Sequence, residues 1–277
     1  MDQSTITTAL AAAGLAPRAT ELAALARPSI RLNTTRVDPY SLATGSSRLG
    51  GQPDLPGVPW PDKAGASLGF VAQIRLADVA PYDAEHLLPT DGTLAFFYDA
   101  TQQTYGDNPA DRAGWRVLYF PPDAPLSASI VPSDLPQNAR FPACALTFAP
   151  ELTMPQQPPL ERPGLPWAPN DEKAYESFLS ALPRAATHHR LLGYPDTIQD
   201  DMRVQCQLIS HGVTDVNDPR AAALRGGADD WTLLFQVDSD DQAGMRWGSA
   251  GMLYYWIERD ALRNRAFENV WLALQSD

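Results

Sequence analysis

Arg48-Leu49-Gly50-Gly51-Gln52-Pro53-Asp54 recurs as Arg190-Leu191-Leu192-Gly193-Tyr194-Pro195-Asp196, with Arg, Leu, Gly, Pro and Asp at matching places. The residues after each stretch also match in large part. Leu68 to Ile74 precedes Gly92-Thr93-Leu94-Ala95-Phe96-Phe97-Tyr98. Trp231 to Val237 precedes Gly251-Met252-Leu253-Tyr254-Tyr255-Trp256-Ile257. Gln73 and Gln236 hold the same place in the two copies, each inside an apolar run. Each copy reads as glycine turn, intervening segment, strand ending in Gln, loop and aromatic strand. We read a diverged internal duplication. Each half has sheet edges to cover, so the two are expected to form one unit.

The rest of the chain is arranged around these copies. Residues 1–28 are expected to form a helical brace of two short helices on the β core. Ser4 or Thr5 caps the first, Gly14 ends it, and Pro17 and Pro28 bound the second. Residues 29–150 form the first β-rich half. Its strands are expected at 29–37, 68–76, 93–98, 115–120, 129–131 and 141–148. Residues 151–187 are a proline-rich connection carrying a helix from Asp171 to about Leu182. Residues 188–277 form the second half. Its segment 200–210 fits a helix through Met202, Cys206 and Ile209 and equally a strand through Val204, Cys206 and Leu208, of which the helix is preferred. Its strands are expected over 231–237, 251–257 and 267–274. The fold class is α+β, mostly β.

Composition narrows the partners. The 277 residues include 26 prolines, which favour short strands and turns over long helices. The net charge is −12. Phosphate backbones and anionic membrane surfaces are disfavoured, and a basic protein surface is welcome. Only Lys63 and Lys173 are lysine, the other basic residues being arginine. Cys144 and Cys206 make no CxxC pair and are expected as reduced, buried thiols. With no signal-like N-terminus and no spanning apolar run, the expected compartment is the cytoplasm.

At the residues of the repeat the sequence resembles the YwqG-like family, a bacterial domain of unknown function. The matching stretches are Arg48 to Trp60, Leu68 to Ile74, Gly92 to Tyr98, Leu192 to Pro195 with Ile198-Gln199, Trp231 to Asp240, and Trp247-Gly248 with Gly251 to Ile257. The resemblance implies two related barrel-like halves that exchange strands. It brings no catalytic residues, because the family's activity is not established. One departure is Trp247-Gly248-Ser249, where the family pattern leads us to expect Asp in place of Ser249.

Catalytic patterns fail on their context. Gly65-Ala66-Ser67-Leu68-Gly69 satisfies G-x-S-x-G, but a nucleophile elbow needs a strand before it and a helix after it. Here a proline-rich loop precedes and a strand follows. Asp238-Ser239-Asp240-Asp241 begins like a calcium loop, yet Gln242, Ala243 and Ser249 stand where an oxygen ligand, the glycine and the bidentate Glu belong. It reads as a solvated acidic turn. His188 and His189 project to opposite sides of a strand, and no metal site is expected. Cys206 near a histidine is a weaker idea than Cys206 packed beside Met202 and Ile209. No cofactor is expected.

Gln73, Gln236 and Gln199 stand out. Buried amides must be hydrogen-bonded, so the first expectation is that they satisfy backbone across the seam between the halves. The alternative is a shared cleft for a polar ligand, walled by Trp60, Tyr194 and Trp247, with Arg48 at its signature loop. The functional expectation is a non-catalytic binding or interaction protein, of immunity or regulatory type, for a basic partner. The alternatives are an enzyme, such as a hydrolase using Arg48 or Arg190 with Asp54, Asp196, Asp200 or Asp201 between the halves, and a small-ligand sensor.

Overall fold

The computed structural model describes residues 2–157, 167–183, 185–215 and 217–276. Ten strands make one antiparallel sheet: β1 (Arg27–Arg36), β2 (Arg48–Leu49), β3 (Gly69–Arg75), β4 (Thr93–Tyr98), β5 (Trp115–Phe120), β6 (Cys144–Thr153), β7 (Arg190–Leu191), β8 (Trp231–Asp238), β9 (Met252–Glu258) and β10 (Trp271–Gln275). Their order is β10-β9-β8-β7-β1-β6-β2-β3-β4-β5. The chain-order neighbours β1 and β2 are therefore separated. β1 lies beside β7 of the second half, and β6 lies beside β2 of the first. The sequence repeat pairs β2 with β7, β3 with β8 and β4 with β9, and these run outward in mirrored order on either side of β1 and β6. β1 and β6 pair with each other from Arg27↔Thr153 to Arg36↔Cys144, and β1 carries the sheet from the first half into the second.

The central strands are apolar on both faces because both faces are covered. All six residues of β4 are buried, as are seven of the eight in β8. The space between the halves is filled by aromatic rings. Phe96 on β4 lies 4.8 Å from Phe235 on β8 and 5.1 Å from Tyr255 on β9, ring centre to ring centre. The Tyr255 hydroxyl donates to Phe97 O at 3.3 Å. Phe96, Phe235 and Tyr255 fill the seam at this point, while a pocket of about 90 Å³ lined by Arg31, Glu151, His188, Arg190 and Asp196 lies farther along it.

The sheet curls until its two outer strands approach, giving a nearly closed barrel. Trp115 on β5 and Trp271 on β10 meet edge to face at 5.0 Å. The Trp115 indole donates to Val270 O at 2.8 Å, and the Trp271 indole donates to Gly106 O at 2.9 Å. The Leu274 amide also donates to Tyr105 O at 3.1 Å, so a loop covers the outer edge of β10. Edges that would otherwise offer free amides are thus partly occupied.

The longer helices beside the sheet among the described residues are α1 (Gln3–Leu10), α2 (Asp171–Ala181) and α3 (Met202–Ser210). Asp2, rather than Ser4 or Thr5, caps α1, its carboxylate accepting from the Thr5 amide at 2.8 Å. The N-terminal helices are not a brace laid on the β core alone. Ile6, Leu10, Leu15 and Leu22 pack with Tyr175 and Phe178 of α2 and with Met154 past β6, forming a second, smaller core. The apolar stripe of α2 needed a partner, and the N-terminal segment supplies it. Arg18 and Asp171 tie the two together.

Other differences are local. Residues 129–131 are not a strand, and the short pairing is Ser127–Ala128 with Asp54–Leu55. β6 runs past the expected Phe148 to Thr153 because β1 pairs with it throughout. The Phe267–Asn269 segment is a helical turn, and the last strand begins only at Trp271. Of the proline-rich connection expected over 151–187, residues 158–166 and 184 lie outside the described residues. Among the described residues no helix is long and apolar enough to cross a membrane.

Candidate functional site

Cross-strand pairing builds the same polar knot twice. Arg48 on β2 faces Gln73 on β3, and Arg190 on β7 faces Gln236 on β8. In the first copy Arg48 Nη2 meets Asp54 Oδ2 at 2.7 Å, and Gln73 Nε2 donates to the same oxygen at 3.1 Å. The Asp54 amide donates to Gln73 Oε1 at 2.8 Å, and Arg48 Nη1 donates to Gln52 O at 3.0 Å. The second copy repeats each bond. Arg190 Nη1 meets Asp196 Oδ2 at 2.5 Å and Tyr194 O at 3.1 Å. Gln236 Nε2 donates to Asp196 Oδ2 at 3.0 Å, and the Asp196 amide donates to Gln236 Oε1 at 2.8 Å. The glutamines therefore act within each half, not across the seam. Each holds the Asp that neutralises its own buried arginine.

The turn between Arg and Asp follows from this knot. Gly50 and Gly51 have φ of +64° and +73°, and Leu192 and Gly193 have +60° and +74°. The amide of Gly50 donates to Val71 O, and that of Leu192 to Leu234 O. Val71 and Leu234 are the extra residues of β-bulges on β3 and β8. A Cβ on Gly193 would stand 2.6 Å from Ser29 Cβ and Thr153 Oγ1. The turn is a structural hinge in both copies.

The copies differ in their surroundings. The second knot is extended: His188 Nδ1 lies 3.0 Å from Asp196 Oδ2, and Arg190 Nε also reaches Glu151 Oε2 at 3.2 Å. Burial pushes the Asp196 carboxyl up, but the His188 hydrogen bond and the Arg190 charge prevail and hold it at about 2. The first copy opens on a cleft of about 660 Å³. Its walls include Arg36, Arg48, Gln52, Trp60, Phe141 and Tyr40. Tyr40 is 95% exposed, and Ile130, next to the lining residue Val131, is 92% exposed. The Trp60 indole donates to Leu68 O at 2.8 Å and packs edge to face on Phe97, so this wall is anchored.

The candidate residues are not gathered into one cleft. Arg48 and Trp60 line the large cleft, while Tyr194 lines a smaller pocket beside the second copy. Gln73 and Gln236 are fully buried in the knots. Gln199 is exposed and donates to Ser276 O at 2.9 Å. Trp247 is buried between Tyr98 and Phe141. Asp200 and Asp201 lie on the α3 side, where Asp201 caps the helix and pairs with Arg203.

The remaining reactive types are accounted for. Ser67 is half-buried and bonded to Asp134, with β3 following it. Burial pushes the Cys144 thiol up to about 11 and the Cys206 thiol well above its usual value, so neither is a thiolate at neutral pH. His188 and His189 do diverge. His189 Nε2 lies 3.1 Å from Asp240 Oδ2, and its Nδ1 accepts from the Asp238 amide at 3.1 Å. This pattern fixes the imidazole with its proton on Nε2. The 238–241 turn is not wholly solvated: Asp240 is buried between His189 and Thr34, and Asp241 is the exposed member. Among the described residues no three His, Cys, Asp or Glu side chains gather as a metal set.

The family described as Domain of unknown function (DUF1963) matches residues 47–276. The chain belongs to this family. The match starts one residue before Arg48 and takes in both knots, both bulges and β10, while leaving out the N-terminal helices and β1. No curated protein matches the chain. Within the family segment, sequence reading missed Trp256 and Arg140, and it missed Arg27, Arg36 and Tyr40 ahead of that segment. Tyr40 had a signal: a large aromatic inside the polar turn Asp38-Pro39-Tyr40-Ser41. Trp256 had one too, as the counterpart of Phe97 in the repeat.

Proposed function

We propose that this chain is a non-catalytic binding protein of the YwqG-like kind that works in the cytoplasm and takes a segment of a basic partner protein across the Trp60 cleft. The observation behind this reading is the cleft itself. It has the volume of a binding site, an anchored aromatic wall and the exposed Tyr40 in its lining, with the exposed Ile130 one residue before the lining Val131. It has no free base or nucleophile to do chemistry. Its carboxylate, Asp54, is held by Arg48, Gln73 and the Gly45 amide at once. The net charge of −12 steers a basic body at long range, and the cleft supplies short-range contact. Arg36 and Arg140 in its walls suit carbonyl or carboxylate groups of the bound segment.

The test is capture from the organism's own lysate at low and moderate salt, with wild type beside a Tyr40→Ala/Ile130→Ser double variant. Both side chains are exposed, so folding should be unaffected. A basic protein held by wild type at low salt, weakened by salt and lost by the variant, is the expected result. No captured protein under either condition, or equal capture by the variant, sinks the reading.

A further inference from the structure

The pocket beside the second copy is where that half lacks a part the first half has. The repeat matches Phe97 to Trp256, Phe70 to Leu233 and Leu68 to Trp231. In the first half Trp60 covers this face, meeting Phe97 at 5.5 Å and closing a small core with Leu55, Leu68 and Phe120. After Asp196 the second half has no such tryptophan loop. It runs through Thr197 to Asp201 into α3 instead. Trp231, Leu233 and Trp256, all buried, border a pocket of about 70 Å³ walled by Tyr194. That is more than one water requires and enough to admit the edge of a single ring.

Two polar features of this pocket point to the kind of occupant it fits. Trp256 is only 2% exposed, and its indole N–H has no acceptor among the described residues. A buried donor left unpaired is costly, and because its nitrogen has no surface open to the pocket, an occupant's acceptor oxygen would reach it only as the Trp256 ring shifts. Trp231, by contrast, is satisfied, its indole donating to Gln207 Oε1 at 2.7 Å. The second feature is charge. Arg27 lies 4.6 Å over the Tyr194 ring and makes no ion pair among the described residues. Arg203 and Asp201 both line the pocket and neutralise each other at 2.6 Å. Arg27 therefore leaves one uncompensated positive charge at the rim.

We propose that this pocket is a second binding site, independent of the Trp60 cleft, for a small planar carboxylate. The ring of the occupant stacks into the place that Trp60 fills in the other half. Its carboxylate accepts from the Trp256 indole and meets Arg27. Tyr194, the residue that distinguishes the second signature from the first, serves as the wall that fixes the ring and backs Arg27.

Benzoate and neutral benzyl alcohol are the probes, titrated into ¹⁵N-labelled full-length protein while the tryptophan indole N–H signals are followed. The expected result is a saturable shift of the Trp256 signal with benzoate and about tenfold weaker binding of benzyl alcohol, the size of one charge-assisted hydrogen bond. Arg27→Gln should lower benzoate affinity by a similar factor and leave benzyl alcohol unchanged. Trp256→Phe, which keeps a ring in the core, should remove the preference for the acid, read on the Trp231 signal. Lack of a saturable Trp256 shift up to tens of millimolar benzoate, or equal affinity for both probes in wild type, overturns the proposal. Loss of partner capture at the Trp60 cleft would leave these shifts untouched, so the two ideas fail separately.

Discussion

Asp54 and Asp196 occupy the same place in the repeat, yet water reaches them differently. The Asp54 side chain is 2% exposed and Arg48 has no other acid, whereas Asp196 is 27% exposed and Arg190 keeps Glu151 as well. Asp54→Ala strands a buried guanidinium and should cost about 3–5 kcal/mol. Asp196→Ala should cost less, about 1–3 kcal/mol. Urea unfolding of the two variants measures the difference, and equal losses would contradict this account. Acid sensitivity follows from three carboxylates. Asp99, Asp196 and Asp240 are each pushed up by burial, but hydrogen bonds led by Lys63, His188 and His189 in turn outweigh it and hold them at about 2. Their folded pKa lies below the usual 3.8, so their stabilisation is complete above about pH 4 and is lost as pH falls toward 2. Asp238 opposes this trend, since burial raises it. The melting temperature should drop between pH 4 and pH 2, and Asp240→Asn should flatten that drop. A wild-type melting temperature unchanged down to pH 2.5 would rule this out.

At the level of elements, the turn between Arg48 and Asp54 is the least tolerant segment. A methyl group on Gly50 would lie 2.3 Å from Pro142 O, at a φ of +64°. Gly50→Ala should destabilise by about 2 kcal/mol or more, combining left-handed strain with the clash. Thermal unfolding checks it, and a neutral result would mean the turn relaxes. The same turns were legible in the sequence because glycine, proline and a repeated spacing mark them. β4, β8 and β9 were legible as long apolar runs, and α3 through Met202, Cys206 and Ile209, all buried on one face. The extent of β6 was not, because its last five residues run from half buried through exposed Pro150 to buried Thr153 with no alternation, and its length is set by β1, a distant partner. Nor could the sequence place α2 against the N-terminus, since an amphipathic stripe names no partner. For the site, the Arg, Gln and Asp of the knots were visible as matched residues. Their bonding within each half was not, because pairing of β2 with β3 depends on register. The cleft escaped notice because Tyr40, Trp60 and Arg140 come from three separate loops.

For the whole molecule, the strand that joins the two halves decides which segments fold together. β1 belongs to the first half in sequence but pairs with β7 of the second. The segments 1–150 and 151–277 expressed apart should each lack native structure and regain it on mixing, followed by near-ultraviolet circular dichroism. A separately folded 1–150 would refute this. Phe96, Phe235 and Tyr255 form one core, so intact protein should unfold in a single transition. The barrel's closure has a mechanical consequence. β10 is held on its inner side by the backbone ladder to β9, but on its outer side by indole bonds and the one amide of Leu274. Under a pulling force on the C-terminus, this seam resists least. The chain should peel β10 away in a first low-force step, leaving the β1–β6 pair at the centre to rupture last.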